Sequence, residues 1–268
     1  MNMKKFVDKT VIITGGGRTT LHDGSCGSIG YGIATAFAKE GANVVITGRN
    51  ESKLIDAKEE LERLYGVEVL PVQANIQAGA DNEAIVKNVV DKTIDKFGHI
   101  NVLVNNAQAS ASGKKLDEHT IDDFNLAIYS GLYATFIYMK ECYPYLKETK
   151  GSVINFGSGA GLFGNYGQSS YAAAKEGIRG LSRAAATEWG KDGINVNSIC
   201  PLAWTAALER FKEEYPVAFK ENVKMPPMGH YGNCESEIAR VVVQLASDDF
   251  KYMTGETLVL EGGMGQRP

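Results

Sequence analysis

The 268-residue sequence has no run of about 20 apolar residues, the length a helix needs to span a bilayer. Its longest weakly charged stretch, Phe124 to Met139, is too short and too polar, and Met1 to Asp8 lacks the apolar core of a signal peptide. A cytoplasmic protein is expected. Positive charge is not in excess either: 28 Lys and Arg face 32 Asp and Glu, a net −4. That balance advertises no nucleic-acid or membrane partner. Cysteine and histidine are scarce, four of each. Cys26, Cys142, Cys200 and Cys234 form no CxxC pair, and His22, His99, His119 and His230 stand apart, so no metal site is expected. The thiols read as reduced. Repeats of about 20–50 residues and linkers are missing, and the 30 glycines follow no three-residue period. One globular domain over residues 1–268 is expected, with 44% hydrophobic and 22% charged residues.

What is present is alternation. Apolar runs at Val11–Ile13, Asn43–Thr47, Glu68–Gln73, Val102–Val104, Val153–Phe156, Val196–Ile199 and Thr257–Leu260 read as strands. Helical spacing covers Gly30–Lys39, Glu51–Tyr65, Asn82–Phe97, Tyr171–Trp189 and Ile238–Ala246, with two long helices between Ile121 and Lys147. Strands without polar alternation are buried on both faces, and right-handed crossovers place helices on each side. The pattern predicts an α/β fold with a doubly wound parallel sheet. Gly16–Ser28 and Leu202–Asn233 read as the only long irregular stretches, and such loops are usually functional.

The first strand is followed by Thr14-Gly15-Gly16-Gly17 and, later, by Gly27-Ser28-Ile29-Gly30-Tyr31-Gly32. Glycines there allow a tight turn and close approach of a pyrophosphate to a helix N-terminus, although such runs also serve as plain turns. Further on, Tyr171 and Lys175 are four apart, on one helix face. A phenol near pKa 10 is a poor base at neutral pH, and a neighbouring cation favours its ionised form. The pair suits acid/base work on an alcohol or carbonyl. Ser158 precedes Tyr171 by thirteen residues, just past a strand, where its hydroxyl can reach a substrate oxygen.

Taken in order, the Gly-rich turn, Asn105-Asn106-Ala107, Ser158, Tyr171-x-x-x-Lys175, Asn197-Ser198-Ile199-Cys200-Pro201, Thr254-Gly255 and Gly262-Gly263 resemble the short-chain dehydrogenase/reductase family from Thr10 to Gly263. The resemblance implies a Rossmann-like sheet of about seven strands. It implies hydride transfer between NAD(P) and a hydroxyl or ketone carbon. Tyr171 would be the general acid/base, Lys175 would lower its pKa and hold the nicotinamide ribose, and Ser158 would polarise the substrate oxygen. The cofactor would lie on Gly15, Ser28, Ile29 and Gly30, then on Arg49, Asn75 and Ile76, then on Asn106 and Ala107. Tyr171, Lys175, Pro201, Trp204 and Thr205 would complete its site.

The chain departs from the family pattern in several places. Thr14 to Gly30 spans sixteen steps, about nine more than TGxxxGxG, with Ser28 at the middle glycine. The loop Arg18 to Cys26 must bulge over the cofactor or toward a neighbouring subunit. Gln108 replaces the Gly of NNAG, and Leu202 replaces the Gly of a PG pair. Gly131 stands where the family places an Asn that supports a proton-relay water. NAD-selective members end the second strand with Asp, whereas here Gly48 is followed by Arg49. A guanidinium can grip a 2′-phosphate, which favours NADP(H). If Arg49 only stacks on adenine, NAD(H) serves.

A closer likeness lies in Gly30–Ala34, Asn105–Gly113, Gly159–Gly164 and Leu260–Pro268. These segments resemble the hydroxysteroid dehydrogenases of anaerobic gut bacteria, foremost the 12α-enzymes acting on bile acids. The 20β-enzymes acting on glucocorticoids are similar too, and another bulky ketone stays open. Ser158, Leu162, Phe163 and Tyr166 would form one side of a steroid site. Trp204, Leu208 and Phe211, in the substrate-covering loop 202–233, would form the other. Burying a rigid apolar steroid gains about 25 cal/mol per Å². Small residues along the Tyr171 helix let another helix approach closely, and the resemblance, in which the equivalent helix makes a dimer face and tetramers are common, implies a homotetramer, with a dimer as alternative. A non-catalytic dinucleotide sensor on the same fold would need no Ser158, Tyr171 and Lys175.

Overall fold

The computed structural model describes residues 4–265, so Gln266-Arg267-Pro268, the end of one of the motifs above, lies outside them. The first six strands are β1 (Thr10–Thr14), β2 (Asn43–Gly48), β3 (Val69–Gln73), β4 (Val102–Asn105), β5 (Ser152–Phe156) and β6 (Asn195–Pro201). Two short strands, β7 (Ala203–Trp204) and β8 (Gly232–Asn233), pair with each other, and β9 (Thr257–Leu260) follows. Seven strands form one parallel sheet in the order β3-β2-β1-β4-β5-β6-β9. Every residue of β1, β4 and β5 is buried, as expected of strands covered on both faces. At one edge, β3 carries Pro71 opposite Ile46 of β2.

One face of the sheet is covered by α1 (Ile29–Lys39), α2 (Glu51–Tyr65) and α10 (Arg240–Leu245), around a core that includes Ile33, Phe37, Leu54 and Val242. The other is covered by α3 (Asn82–Phe97), α5 (Ala134–Thr149) and α7 (Ser169–Trp189), around Val86, Ile137, Tyr138 and Val153. Each such side chain is worth roughly 1.5–3 kcal/mol when fully buried. The chain winds outward from β1 in one direction and from β4 in the other. A crevice therefore opens between the carboxyl ends of these two strands.

Two sequence expectations change. The two helices expected between Ile121 and Lys147 are one rod: α4 (Ile121–Ala127) passes through a π turn (Ile128–Tyr133) straight into α5. No proline interrupts Ile128–Tyr133, and Gly131 weakens the ladder without ending it, so the ladder shifts register instead. The stretch Leu202–Asn233 is not irregular. It carries α8 (Ala206–Glu214) and α9 (Pro216–Asn222), besides β7 and β8. Thr205 caps α8 by accepting from Leu208 N–H, and Pro216 supplies a preset φ at the start of α9. After β5 the short helix α6 (Gly159–Phe163) precedes α7.

Candidate active site

The crevice begins at the end of β1. Gly15 turns the chain at φ +76°, and the Thr14 hydroxyl accepts the N–H groups of Asn106 at 3.0 Å and Ala107 at 2.9 Å. Asn106 Nδ2 donates back to Thr14 O at 2.8 Å. The loops after β1 and β4 are thus tied together. A Cβ on Gly30 would sit 2.2 Å from Gly15 O, so only glycine lets α1 start this close to the turn. Ser28, the residue before α1, makes no side-chain cap, and its buried Oγ has no partner. The first-turn N–H groups of α1 and this hydroxyl are donors set for an anion.

They open into a cleft of about 530 Å³. Gly15, Ser28, Ile29 and Gly30 line one part, Arg49, Asn75 and Ile76 another, and Asn106, Ala107 and Thr205 a third. Tyr171, Lys175, Pro201 and Trp204, also expected at the cofactor, are not in its lining. The sequence reading missed Thr19, Lys53 and Arg210, which are. A dinucleotide fits the donor set: glycine backbone and a free hydroxyl for the pyrophosphate, and cations at the far end.

The insert is ordered by its own bonds. Thr20 and Cys26 bridge across it, and Gly27 N–H donates to Thr19 O at 2.8 Å. Arg18 Nε pairs with Glu60 Oε2 at 2.6 Å, while Tyr31 OH donates to Glu60 Oε1 at 2.7 Å. Burial works against the Glu60 carboxylate, yet these two donors hold its pKa below the ordinary value. The insert's outer turn reaches α8 through His22, and Ala206 N–H donates to Gly27 O at 2.8 Å. Of the two expected placements for Arg18 to Cys26, the one beside the cofactor cleft matches this geometry.

Beyond the cleft stand the three expected catalytic residues. Ser158 follows β5 and precedes α6, its Oγ accepting from Ala160 N–H at 3.1 Å. Tyr171 and Lys175 are one turn apart on α7. Lys175 is 3% exposed, its Nζ donates to Phe156 O at 2.8 Å and lies 5.4 Å from the centre of the Tyr171 ring. The carbonyl at the end of β5 therefore fixes the lysine two residues from Ser158. Burial pushes the Lys175 ammonium down to about 7. Burial also raises the Tyr171 phenol, against hydrogen bonding to Ser158 that lowers it. In the protein alone the net shift of Tyr171 is upward because desolvation dominates, with the Ser158 hydrogen bond opposing it.

Gly131 lies in the π turn. A Cβ there would meet Cδ, Oε1 and Nε2 of Gln108 at 2.5, 2.6 and 2.8 Å. Gln108 Nε2 reaches Ala127 O at 3.4 Å, and its Oε1 is buried without a partner. Next to it Ser130 Oγ accepts from Ala109 N–H at 3.0 Å. Gln108 thus fills from the β4 loop the space that a side chain at 131 would take from the helix.

A family model described as enoyl-(acyl carrier protein) reductase matches residues 24–265. The 12α-hydroxysteroid dehydrogenase of Clostridium sp. (strain ATCC 29733 / VPI C48-50) is 66% identical over 263 residues, 98% of this chain and 99% of that one. The chain belongs to the short-chain dehydrogenase/reductase family. Another relative, the 3-oxoacyl-[acyl-carrier-protein] reductase FabG of Thermotoga maritima, is 33% identical over 92% of this chain and 98% of its own. A short-chain dehydrogenase/reductase from Burkholderia xenovorans superposes with TM-score 0.88 at 25% identity, covering 99% of both chains. Cj0485 dehydrogenase gives TM-score 0.86 at 29% identity, covering 100% of this chain and 98% of that one. The short-chain dehydrogenase/reductase family works with NAD(P).

The residues expected on the substrate side are largely apolar. Phe163 is 51% exposed and Tyr166 77%, and the adjacent Leu162 is half-buried. Across from the main sheet, Trp204 and Phe211 belong to one aromatic cluster: Trp204 packs on Phe219 and Tyr231, and Phe211 on Tyr215 and Phe219. The segment after β9 joins these parts. A Cβ on Gly265 would lie 2.9 Å from Phe163 Cζ, while Gly262 and Gly263 abut Pro226 and Pro227. Sequence reasoning named Gly262 and Gly263 as markers and missed that they pack against the covering segment. Among the described residues, no His, Cys, Asp and Glu cluster could hold a metal ion, and no helix is long and apolar enough to cross a membrane.

Proposed function

We propose that this protein interconverts a steroid hydroxyl and the corresponding ketone, with the 12α-hydroxyl of bile acids as its substrate group and NADP(H) as its cofactor. The observation that carries the reading is the 66% identity, over nearly the full length of both chains, to a 12α-hydroxysteroid dehydrogenase. It is supported by Ser158, Tyr171 and Lys175 in place beside a dinucleotide-sized cleft and by the apolar walls around them.

NAD(P), when bound, would supply the hydride acceptor for oxidation of the carbinol carbon and the hydride donor for reduction of the ketone. Ser158 Oγ donates a hydrogen bond to the substrate oxygen and fixes the carbon beneath it. The Tyr171 phenolate takes the hydroxyl proton, and in reduction the phenol returns it. Lys175, held by Phe156 O, presents its ammonium to the Tyr171 ring and steadies the phenolate. Phe163, Tyr166, Trp204 and Leu208 enclose the apolar rings and keep water from the reacting carbon. Arg49 at the end of β2 and Lys53 on α2 favour a 2′-phosphate, hence NADP(H) over NAD(H). The same reading places the protein in the cytoplasm as a homotetramer. Exposed apolar residues Phe124 of α4, Tyr133 of the π turn and Phe136 of α5, and the small residues Ala173 and Ala184 of α7, supply faces for self-association.

Nicotinamide absorbance tests this with purified protein, NADP⁺ or NAD⁺, and four steroids. Reduction of NADP⁺ with deoxycholate and cholate, and none with chenodeoxycholate, is expected. Turnover of 20β-dihydrocortisol alone would move the reaction to C20. Silence on all four would refute the steroid reading.

A further inference from the structure

Helix α8 meets three different neighbours. Glu209 and Glu213, one turn apart, hold the insert: Glu209 Oε2 accepts from His22 N–H at 3.1 Å, and Glu213 Oε1 lies 3.0 Å from His22 Nδ1. Phe211 packs into the aromatic cluster of the covering segment. Ala206, Ala207 and Arg210 line the dinucleotide cleft. The helix begins beside the glycine turn, because Ala206 N–H donates to Gly27 O at 2.8 Å.

The charge in that cleft is one-sided. Its lining holds three cations, Arg49, Lys53 and Arg210, and no Asp or Glu. Among the described residues none of these three is in an ion pair, whereas Arg18 of the insert is already taken by Glu60. Three unpaired cations around a cleft without carboxylates attract an anion of more than one charge. Two of them come from the β2 end. The third rides on the covering segment, and the insert holds the helix that carries it.

We propose that Arg210 binds a phosphate group of the dinucleotide, and that the inserted loop, through His22, positions α8 for that contact. The inference rests on the dinucleotide reading above and deepens it. It gives the insert a role: a nine-residue extension next to the pyrophosphate turn reaches across to the segment that covers the steroid. Since Phe211 and Leu208 share α8 with Arg210, the phosphate contact also sets the wall offered to the substrate.

The test titrates full-length protein with NADPH and with NADH, without steroid, following nicotinamide fluorescence. Arg210→Met is expected to weaken binding roughly ten-fold or more, as loss of a charge-assisted bond does. It should also flatten the dependence of log Kd on log salt, which a merely structural role would not change. Arg210→Lys should keep most of the affinity. His22→Ala removes the imidazole contact with Glu213 while the backbone bond to Glu209 stays, so it should weaken binding by a smaller factor, and adding it to Arg210→Met should cost little more. Equal loss for both dinucleotides assigns Arg210 to the pyrophosphate, and loss confined to NADPH assigns it to the 2′-phosphate. Unchanged affinity and salt slope in Arg210→Met overturns the proposal, and full additivity with His22→Ala overturns the positioning part. If the unaltered protein binds neither dinucleotide, the underlying reading fails and takes the inference with it.

Discussion

Gly131 and Gln108 behave as one unit, and that can be measured. Gly131→Ala places a Cβ at 2.5–2.8 Å from three Gln108 atoms, against an optimum of about 3.5–4.0 Å. Gln108 must then swing away, give up its contact with Ala127 O and leave the π turn. Overpacking of this kind costs about 1–3 kcal/mol. At roughly 2–4 °C per kcal/mol for a domain of this size, the melting temperature should fall by about 2–12 °C. Gly131→Asn alone should cost at least as much. Combined with Gln108→Gly it should recover, because the side chain then returns to the helix, where the family pattern carries it. The coupling between the two substitutions is expected to reach about 1–3 kcal/mol. Thermal melts followed by circular dichroism, with steroid turnover beside them, read both parts. If Gly131→Asn costs the same with and without Gln108→Gly, the two positions do not share one space and the argument is wrong.

Three further outcomes follow from the site. Tyr171→Phe should reduce turnover by about 10²–10⁴-fold while NADPH fluorescence still reports binding, and unchanged turnover would remove Tyr171 from the mechanism. Arg49→Ala should lower the NADP/NAD preference in kcat/KM, and an unaltered ratio would take the 2′-phosphate away from Arg49. For Lys175, burial lowers the pKa from 10.5 to about 7, so between these values the unfolded chain binds more protons than the folded one. The dinucleotide-free protein should therefore gain stability as pH rises from about 7 toward 10, and Lys175→Met should raise the melting temperature at pH 7 and shrink that slope while abolishing turnover. An equal slope in both proteins would show that Lys175 is not desolvated as described.

Much of the frame was readable because buried parallel strands leave an uninterrupted apolar signature. Val11–Ile13 and Val153–Phe156 extend by only a residue or two in β1 and β5. Ser158, Tyr171 and Lys175 were readable because a strand end and one helical turn suffice to bring them together. The segment Leu202–Asn233 was not. Ala206–Glu214 is short and charged, and its apolar side, Leu208 and Phe211, covers a single turn, too little to stand out in the sequence. Arg210 and Thr19 were invisible for a related reason: they meet at one cleft from opposite ends of the chain, and no local spacing records that. The direction of the Tyr171 and Lys175 shifts was also out of reach, since burial is a property of the packed site and not of the YxxxK spacing.

Pro71 bears on how copies of this chain can meet. A sheet edge normally offers a row of N–H groups to any passing strand, and β3 is such an edge. Proline has no N–H to offer and is tolerated in a strand only where that side faces outward. Growth of the sheet across β3 is therefore interrupted in the middle of a five-residue strand. Strand addition loses its template at that edge, so a copy meeting the protein there is chosen by side chains rather than backbone, while the opposite edge, β9, carries no such block.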